Sequence, residues 1–269
     1  MGKLVFLDID GTIINFNKEI SESTIKAIKK AQANGHKVFI CSGRMYGIID
    51  DFIKDIGFDG YVASAGARVI VDGKDVFYRT IEPDKLVKAW EILKAHKSVF
   101  RFKGISGVCM GPDEYRQMLM TEKGKMISKT WKFNITDDVA GYTDMESGDY
   151  NNADITVDEM QKEFDEKIGE YFTVIMASFD EATPYFGEVL IKGVNKGSGI
   201  AEVVKYLGAK QEDTIGIGDS SNDIDMLNYV GTAVAMGNAL NEVKELADFV
   251  TTDVDNDGIW NAFKKLNLI

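Results

Sequence analysis

Leu4-Val5-Phe6-Leu7-Asp8-Ile9-Asp10-Gly11-Thr12 runs four apolar residues directly into two carboxylates and a glycine turn. An unbroken apolar run of this length reads as a strand buried on both faces, the kind found in parallel sheets covered by helices. The segment that follows completes a βαβ unit. Ser21 stands where it caps a helix, Ile25, Ile28 and Ala31 recur at helical spacing, and Asn34-Gly35 ends the segment. Val38 to Cys41 is the next strand; Tyr61 to Ala63, Thr214 to Ile217 and Ala233 to Ala235 are further short runs of the same kind. The alternation predicts an α/β fold built on a Rossmann-like parallel sheet.

From about Glu82 to Tyr185 the alternation loosens. Helical stretches at Leu86 to Ala95, Glu114 to Met120 and Glu159 to Ile168 sit among candidate strands Val99 to Phe102 and Phe172 to Ala177. Pro83 and Pro184 mark the two edges, where a fixed φ and a broken helix suit linkers. The chain is therefore read as a discontinuous core of residues 1–81 and 186–269 with an inserted α+β unit of residues 82–185.

Each clear apolar run ends in a polar cluster. Asp8-Ile9-Asp10-Gly11-Thr12 follows the first, Ser42-Gly43-Arg44 the second, and Gly218-Asp219-Ser220-Ser221-Asn222-Asp223 the run Thr214 to Ile217. Ligands of open α/β sheets bind outside the carboxyl ends of the strands, so these clusters are expected to meet. Asp8, Asp10, Asp219 and Asp223 would then repel one another unless a cation sat among them. Oxygen ligands of this kind suit Mg²⁺, which commonly shares its coordination with a phosphate.

The same residues resemble the haloacid dehalogenase superfamily of phosphatases and phosphotransferases. Asp8 to Thr12 is similar to its D-x-D-G-T motif, Ser42-Gly43-Arg44 to its second motif, and Lys196 within Gly193-Val194-Asn195-Lys196-Gly197 to its third. Gly218 to Asp223 is similar to the fourth, G-D-x-x-N-D, while Met236-Gly237-Asn238-Ala239 and Asp257-Gly258-Ile259 resemble segments of the Cof-like branch. The resemblance covers residues 1–81 and 186–269, and the inserted unit matches the family's α+β cap by position.

The resemblance implies Asp8 as a nucleophile that forms an aspartyl-phosphate and Asp10 as the acid and base. It implies Mg²⁺ held by Asp8, Asp219 and the backbone carbonyl of Asp10, and phosphate oxygens bound by Ser42, Gly43, Lys196 and Asn222, with backbone N–H groups at Ser42 and the start of a following helix adding to the phosphate seat. Asp223 would orient Lys196 or a metal-bound water. The residue types suit this chemistry: a carboxylate with a pKa near ~3.9 needs no base to activate it. The expected activity is hydrolysis of small phosphomonoesters, sugar phosphates ahead of phosphorylated cofactors. A phosphomutase or other phosphotransferase, a phospho-accepting receiver and a non-catalytic phospho-ligand-binding protein are the alternatives. The cap, residues 82–185, would set specificity, with Arg101, Arg116, Trp131 and Tyr115 as candidates by chemistry; Trp90 reads as packing. Where the Cof-like branch carries Asn-Gly, this chain has Ala65-Gly66, which removes an amide that would face substrate.

Composition narrows the partners. The 269 residues carry 31 basic and 43 acidic side chains, a net charge of −12, and the pI is 4.7. That balance disfavours nucleic acid and anionic membranes. Leu4 to Leu7 is too short for a signal peptide, Phe6 breaks the myristoylation pattern, and no run reaches the ~18 apolar residues of a membrane span. Cys41 and Cys109, with no C-x-x-C, suit a reduced cytoplasmic protein. Asp253-Val254-Asp255-Asn256-Asp257-Gly258 opens like a calcium loop, yet Lys264 takes the place of its bidentate glutamate. Gly216-Ile217-Gly218 lacks the third glycine of a dinucleotide fingerprint, having Ser221 there. His36 reads as an exposed turn residue and His96 as a helix-end residue; Arg44 reads as a solvated helix-start residue or an ion-pair partner. Lys192 competes with Lys196, and the resemblance selects Lys196.

Overall fold

The computed structural model describes residues 2–176 and 186–269. In chain order its strands begin with β1 Leu4–Leu7, β2 Lys37–Cys41, β3 Gly60–Ala63, β4 Arg68–Val71, β5 Lys74–Tyr78, β6 Val99–Gly104 and β7 Gly107–Met110. They continue with β8 Phe133–Ile135, β9 Met145–Asn151, β10 Phe172–Met176, β11 Phe186–Ile191, β12 Thr214–Gly218, β13 Thr232–Ala235 and β14 Phe249–Val250. Two units separate. Met1–Arg44, Ile49–Tyr78 and Asn195–Ile269 form the first; Met45–Ile48 and Arg79–Val194 form the second. Residues 186–194, expected in the core, belong to the second unit because β11 pairs with β9 and β10; Pro184, and Ala177 at the end of an expected strand, lie outside the described residues.

The first unit is built on an eight-stranded sheet ordered β14-β13-β12-β1-β2-β3-β4-β5. Strands β14 to β3 in that order are parallel, and β3-β4-β5 form antiparallel hairpins. Every residue of β1 is buried, as its unbroken apolar pattern requires, and the Phe6 and Phe39 rings stack with centroids 5.1 Å apart. In the hairpin β4-β5, Val69, Ile70 and Val71 are buried although the sequence reading assigns no strand there, while the edge strand β5 opens with the exposed Lys74 and Asp75.

The first helix spans Glu22–Ala33, and the Ser21 hydroxyl accepts the Thr24 N–H at its start. Its buried stripe is Thr24, Ala27, Ile28 and Ala31, whereas Ile25 is 36% exposed. Ile28 and Ala31 fall on this stripe as expected, while Ile25, about 100° round the helix from Thr24, lies at its margin. His36 is likewise not an exposed turn residue: its Nδ1 accepts the Lys3 N–H at 2.9 Å, and burial, with the nearby Lys3 charge, lowers its pKa. The Asp253–Asp257 turn leads into the helix Gly258–Lys265, which buries Ile259, Ala262 and Phe263, with the Lys30 ammonium 4.9 Å from the Trp260 ring centre.

The second unit is α+β. Its six strands run β10-β11-β9-β6-β7-β8, antiparallel except for the parallel pair β7-β8. Pro83 starts the helix Pro83–Ala95 rather than breaking one, since the first helical turn needs no N–H from it. This helix buries Trp90 against Phe100, edge to face at 4.7 Å, and against Phe102 at 6.2 Å. His96 ends it and contacts Glu163 of the helix Val157–Ile168.

Strand β9, Met145-Glu146-Ser147-Gly148-Asp149-Tyr150-Asn151, has no apolar alternation, yet six of its residues are buried. Its burial depends on pairing: Asp149 meets Arg101 at 2.8 Å and Lys103 at 3.1 Å. Burial pushes the Asp149 carboxyl up, but these two cations hold it below the usual carboxylate range. Arg101 also lies over the Trp131 ring, 5.1 Å from its centre, and Tyr115 packs on Phe133, whereas Arg116 forms an exposed pair with Asp113. No helix among the described residues is long and apolar enough to cross a membrane.

The Trp90 Nε1 is buried without a hydrogen-bond partner among the described residues, so its ring contributes packing alone. Trp90→Ala should lower unfolding free energy by about 3–5 kcal/mol, as expected for a buried aromatic truncation. Trp90→Phe, which loses volume but no hydrogen bond, should cost less than half of that; the urea midpoints of the two variants check the ratio.

Candidate active site

The chain runs from β1 to β2 and β3 on one side, while β12 and β13 lie on the other, so the strand order reverses at β1. Ligand crevices of open α/β sheets form at such a reversal. Leu7 is in register with Ile217 on one side and Ile40 on the other, so Asp8, Asp219 and Ser42 all leave the sheet at the same edge. Gly11 lies at φ 82°, and a Cβ there would fall 2.2 Å from the Asp219 Oδ2. Glycine is what lets the loop after β1 approach Asp219. The Thr12 hydroxyl then donates to Asp219 Oδ1 at 2.9 Å, and the Asn238 amide donates to the Gly11 carbonyl at 2.9 Å while accepting the Val254 N–H.

Lys196 is the first residue of the helix Lys196–Leu207, whose Asn195 cap exchanges hydrogen bonds with Ser198. Gly199 brings this helix down onto the turn after β3, since a Cβ would lie 2.8 Å from the Gly66 Cα. The Lys196 side chain is 1% exposed. Its Nζ donates to Asp8 Oδ1 at 2.6 Å, Asp223 Oδ1 at 2.5 Å and Asn222 Oδ1 at 3.1 Å, which uses all three ammonium protons. Lys192 pairs instead with Glu170 within the second unit.

The carboxylates are not equivalent. Asp223 is saturated, because its Oδ2 accepts the Asp219 and Ser220 N–H groups while Oδ1 holds Lys196. Asp8 and Asp219 each keep one oxygen without a hydrogen bond from a described residue. Burial and repulsion from Asp223 raise the Asp8 pKa well above its ordinary value, although Lys196 opposes this. Burial and Asp223 likewise push Asp219 up to about 7. Burial alone would lower the Lys196 pKa, but Asp223 and Asp8 outweigh it and raise it strongly. Ligand oxygens of Asp8, Asp219 and Asp223 lie within 4.8 Å of one another. An oxygen-only cluster with surplus negative charge and two free carboxylate oxygens fits a hard divalent cation.

The remaining predicted residues have distinct surroundings. Ser42 is buried; its N–H is donated to the Val62 carbonyl, so that group is not free to seat a phosphate. Nor does a regular helix follow at once, since the next turns are a 3-10 turn at Tyr46–Ile48 and the short helix Asp51–Lys54. The backbone seat expected there shrinks to Gly43, whose N–H meets no described acceptor. Asn222 spends its Oδ1 on Lys196 and Ser220, leaving its amide N–H groups available. Ala65 sits at φ 51°, a left-handed region that Asn and Gly tolerate better than Ala, so the backbone itself favours the Asn found here in the Cof-like branch that the sequence resembles.

Asp10 does not join the Lys196 cluster. Its carboxylate accepts Arg44 Nε at 3.0 Å and Nη2 at 2.6 Å, so of the two readings of Arg44 the ion-pair partner is the one realised. Neither the Arg44 fork nor the Asn238 tie has a sequence signature of its own; Asn238 lies in a segment matched to the Cof-like branch without a role.

Comparison with known proteins agrees with this geometry. The profile of the haloacid dehalogenase-like hydrolase family matches residues 5–263. The chain is 31% identical to YkrA of Bacillus subtilis strain 168, over 99% of this chain and 98% of that one. It is 26% identical to the 5-amino-6-(5-phospho-D-ribitylamino)uracil phosphatase YcsE of the same organism, over 97% and 94% of the two chains. Among solved structures, the subclass IIB sugar phosphatase BT4131 superposes with a TM-score of 0.82 at 28% identity, covering 99% of this chain and 100% of that one. With family profile, full-length relatives and fold in agreement, this chain is an enzyme of the haloacid dehalogenase-like hydrolase family.

Proposed function

We propose that this enzyme is a Mg²⁺-dependent phosphatase that hydrolyses small phosphomonoesters through an aspartyl-phosphate on Asp8. The observation that carries the reading is the buried Lys196 ammonium shared between Asp8 and Asp223, with Asp219 beside them. It leaves Asp8 with one oxygen held and one free to attack. In the first step that oxygen bonds to phosphorus as the ester P–O bond breaks, and Asp10 gives its proton to the departing alkoxide. In the second, Asp10 takes a proton from water as the water oxygen bonds to phosphorus and the Asp8–phosphorus bond breaks. Lys196, the Asn222 amide, the Ser42 hydroxyl and the Gly43 N–H bind the phosphoryl oxygens. Asp8, Asp219 and the backbone carbonyl of Asp10 would hold Mg²⁺, which when bound offsets repulsion between the carboxylate and the phosphoryl group. Asp223 orients Lys196.

The named activities of YcsE and BT4131 point to phosphorylated small molecules, sugar phosphates among them, as the substrate class. The second unit, Arg79–Val194 with Met45–Ile48, serves as the cap that selects the leaving group. Cys41 and Cys109, both free and buried, suit work in a reducing cytoplasm.

A panel of phosphomonoesters tests this reading. Phosphate release should require Mg²⁺, stop in EDTA, and fall by at least about a thousandfold in Asp8→Asn, as for loss of a covalent nucleophile. Release that survives in Asp8→Asn overturns it.

The metal-free protein should also show a pH signature. Asp219 is held at about 7 in the folded state against 3.8 ordinarily, so the folded state binds its proton more tightly than the unfolded chain between those values. Stability in EDTA should therefore fall as pH rises from 3.8 to about 7 and level off above. Urea midpoints at pH 5 and pH 8 measure the fall; Asp219→Asn should reduce it, leaving the share that Asp8 contributes, and saturating Mg²⁺ should remove it.

A further inference from the structure

We propose that Arg44 is a positioning residue for Asp10: its guanidinium fork holds the Asp10 carboxyl in the orientation from which it exchanges protons with the leaving oxygen and with water. The inference rests on the phosphatase reading above. Asp10 is the proton-exchanging group of that reading, yet nothing in its own loop fixes its side chain. Its two oxygens receive Arg44 Nε and Nη2 at 3.0 and 2.6 Å, a bidentate pairing that sets the carboxyl plane as well as its position.

The fork is itself anchored. Arg44 Nη1 donates to Asp50 Oδ2 at 2.9 Å, and Asp50, although at the cap position of the helix Asp51–Lys54, makes no side-chain cap bond there. The Arg44 main chain is tied as well, its N–H to the Ser42 hydroxyl at 3.2 Å and its carbonyl to the Ser64 N–H at 2.9 Å. The Arg44 side chain is only 14% exposed, and Nε, Nη1 and Nη2 are all committed to carboxylates. An arginine spent in this way is not a receptor for a phosphate dianion. Its position on the loop that carries Ser42 and Gly43 links the phosphate seat to the proton-exchanging group. Lysine cannot reproduce the link, because a single ammonium does not grip both oxygens in one plane.

The test compares kcat/KM for two esters. A primary alkyl phosphomonoester needs a proton on its leaving alkoxide; p-nitrophenyl phosphate expels a stable phenolate that needs none. Arg44→Lys and Arg44→Ala should lose about 30-fold on the alkyl ester and no more than about threefold on the aryl ester, a share of the 10²–10⁴-fold that general acid catalysis supplies. Asp50→Asn should shift the ratio in the same direction by less, and it carries the comparison if the Arg44 variants fold poorly. Methylguanidine should restore alkyl ester turnover to Arg44→Ala. Equal losses on both esters in folded variants would overturn the proposal and leave the phosphatase reading intact. A wild type that turns over neither ester would overturn both.

Discussion

The Lys196 ammonium, buried between Asp8 and Asp223, is the constraint on which the rest of the first unit depends. A cation taken out of water must be matched by anions with well-formed hydrogen bonds, and removing one partner of such a buried pair costs about 3–5 kcal/mol. Lys196 also stands at the first position of its helix, where the helix dipole disfavours positive charge. Both penalties are offset only if the ends of β1 and β12 bring their carboxylates to that helix start. The Asn195 cap and the close approach at Gly199 place the helix where this happens.

One ammonium cannot balance three carboxylates. Asp223 is satisfied by Lys196 and two backbone N–H groups, so the unbalanced charge falls on Asp8 and Asp219, each with an oxygen to spare. The raised pKa values of these two residues express the same imbalance as their free oxygens do. Asp10 is kept out of it. Two residues beyond Asp8 on a turning loop, it meets the Arg44 fork instead of the buried cluster. Neighbouring carboxylates with different partners are thereby suited to different tasks.

The second unit solves burial in another way. Its Pro83–Ala95 helix packs the Trp90 ring against Phe100 and Phe102, while the alternating residues Arg101 and Lys103 on the same strand pair with Asp149. Strand β9 shows why this region was the harder to read. Its buried Asp149 is held by Arg101 and Lys103, more than forty positions away in sequence, and no local periodicity records such pairing. In the first unit the edge strand β5 is hard to read for a related reason, as it pairs on one side only and is largely exposed.

The parallel core strands, the capped first helix and the order of the three polar clusters at strand ends were determined by sequence alone, because each depends on residues within a few positions of one another. Gly11 and the carboxylates beside it were legible for the same reason. Tertiary structure decided what depends on distance along the chain. The resemblance selects Lys196 over Lys192, but that it meets Asp8, 188 positions away, depends on the fold bringing a capped helix start to the cluster. Arg44 turns to Asp10 rather than to solvent, and Asn238 closes on Gly11 across 227 positions. Polar side chains carry no local signature of their partners: a hydrogen bond takes direction and distance from the fold, whereas a buried apolar run is shaped by its own neighbours.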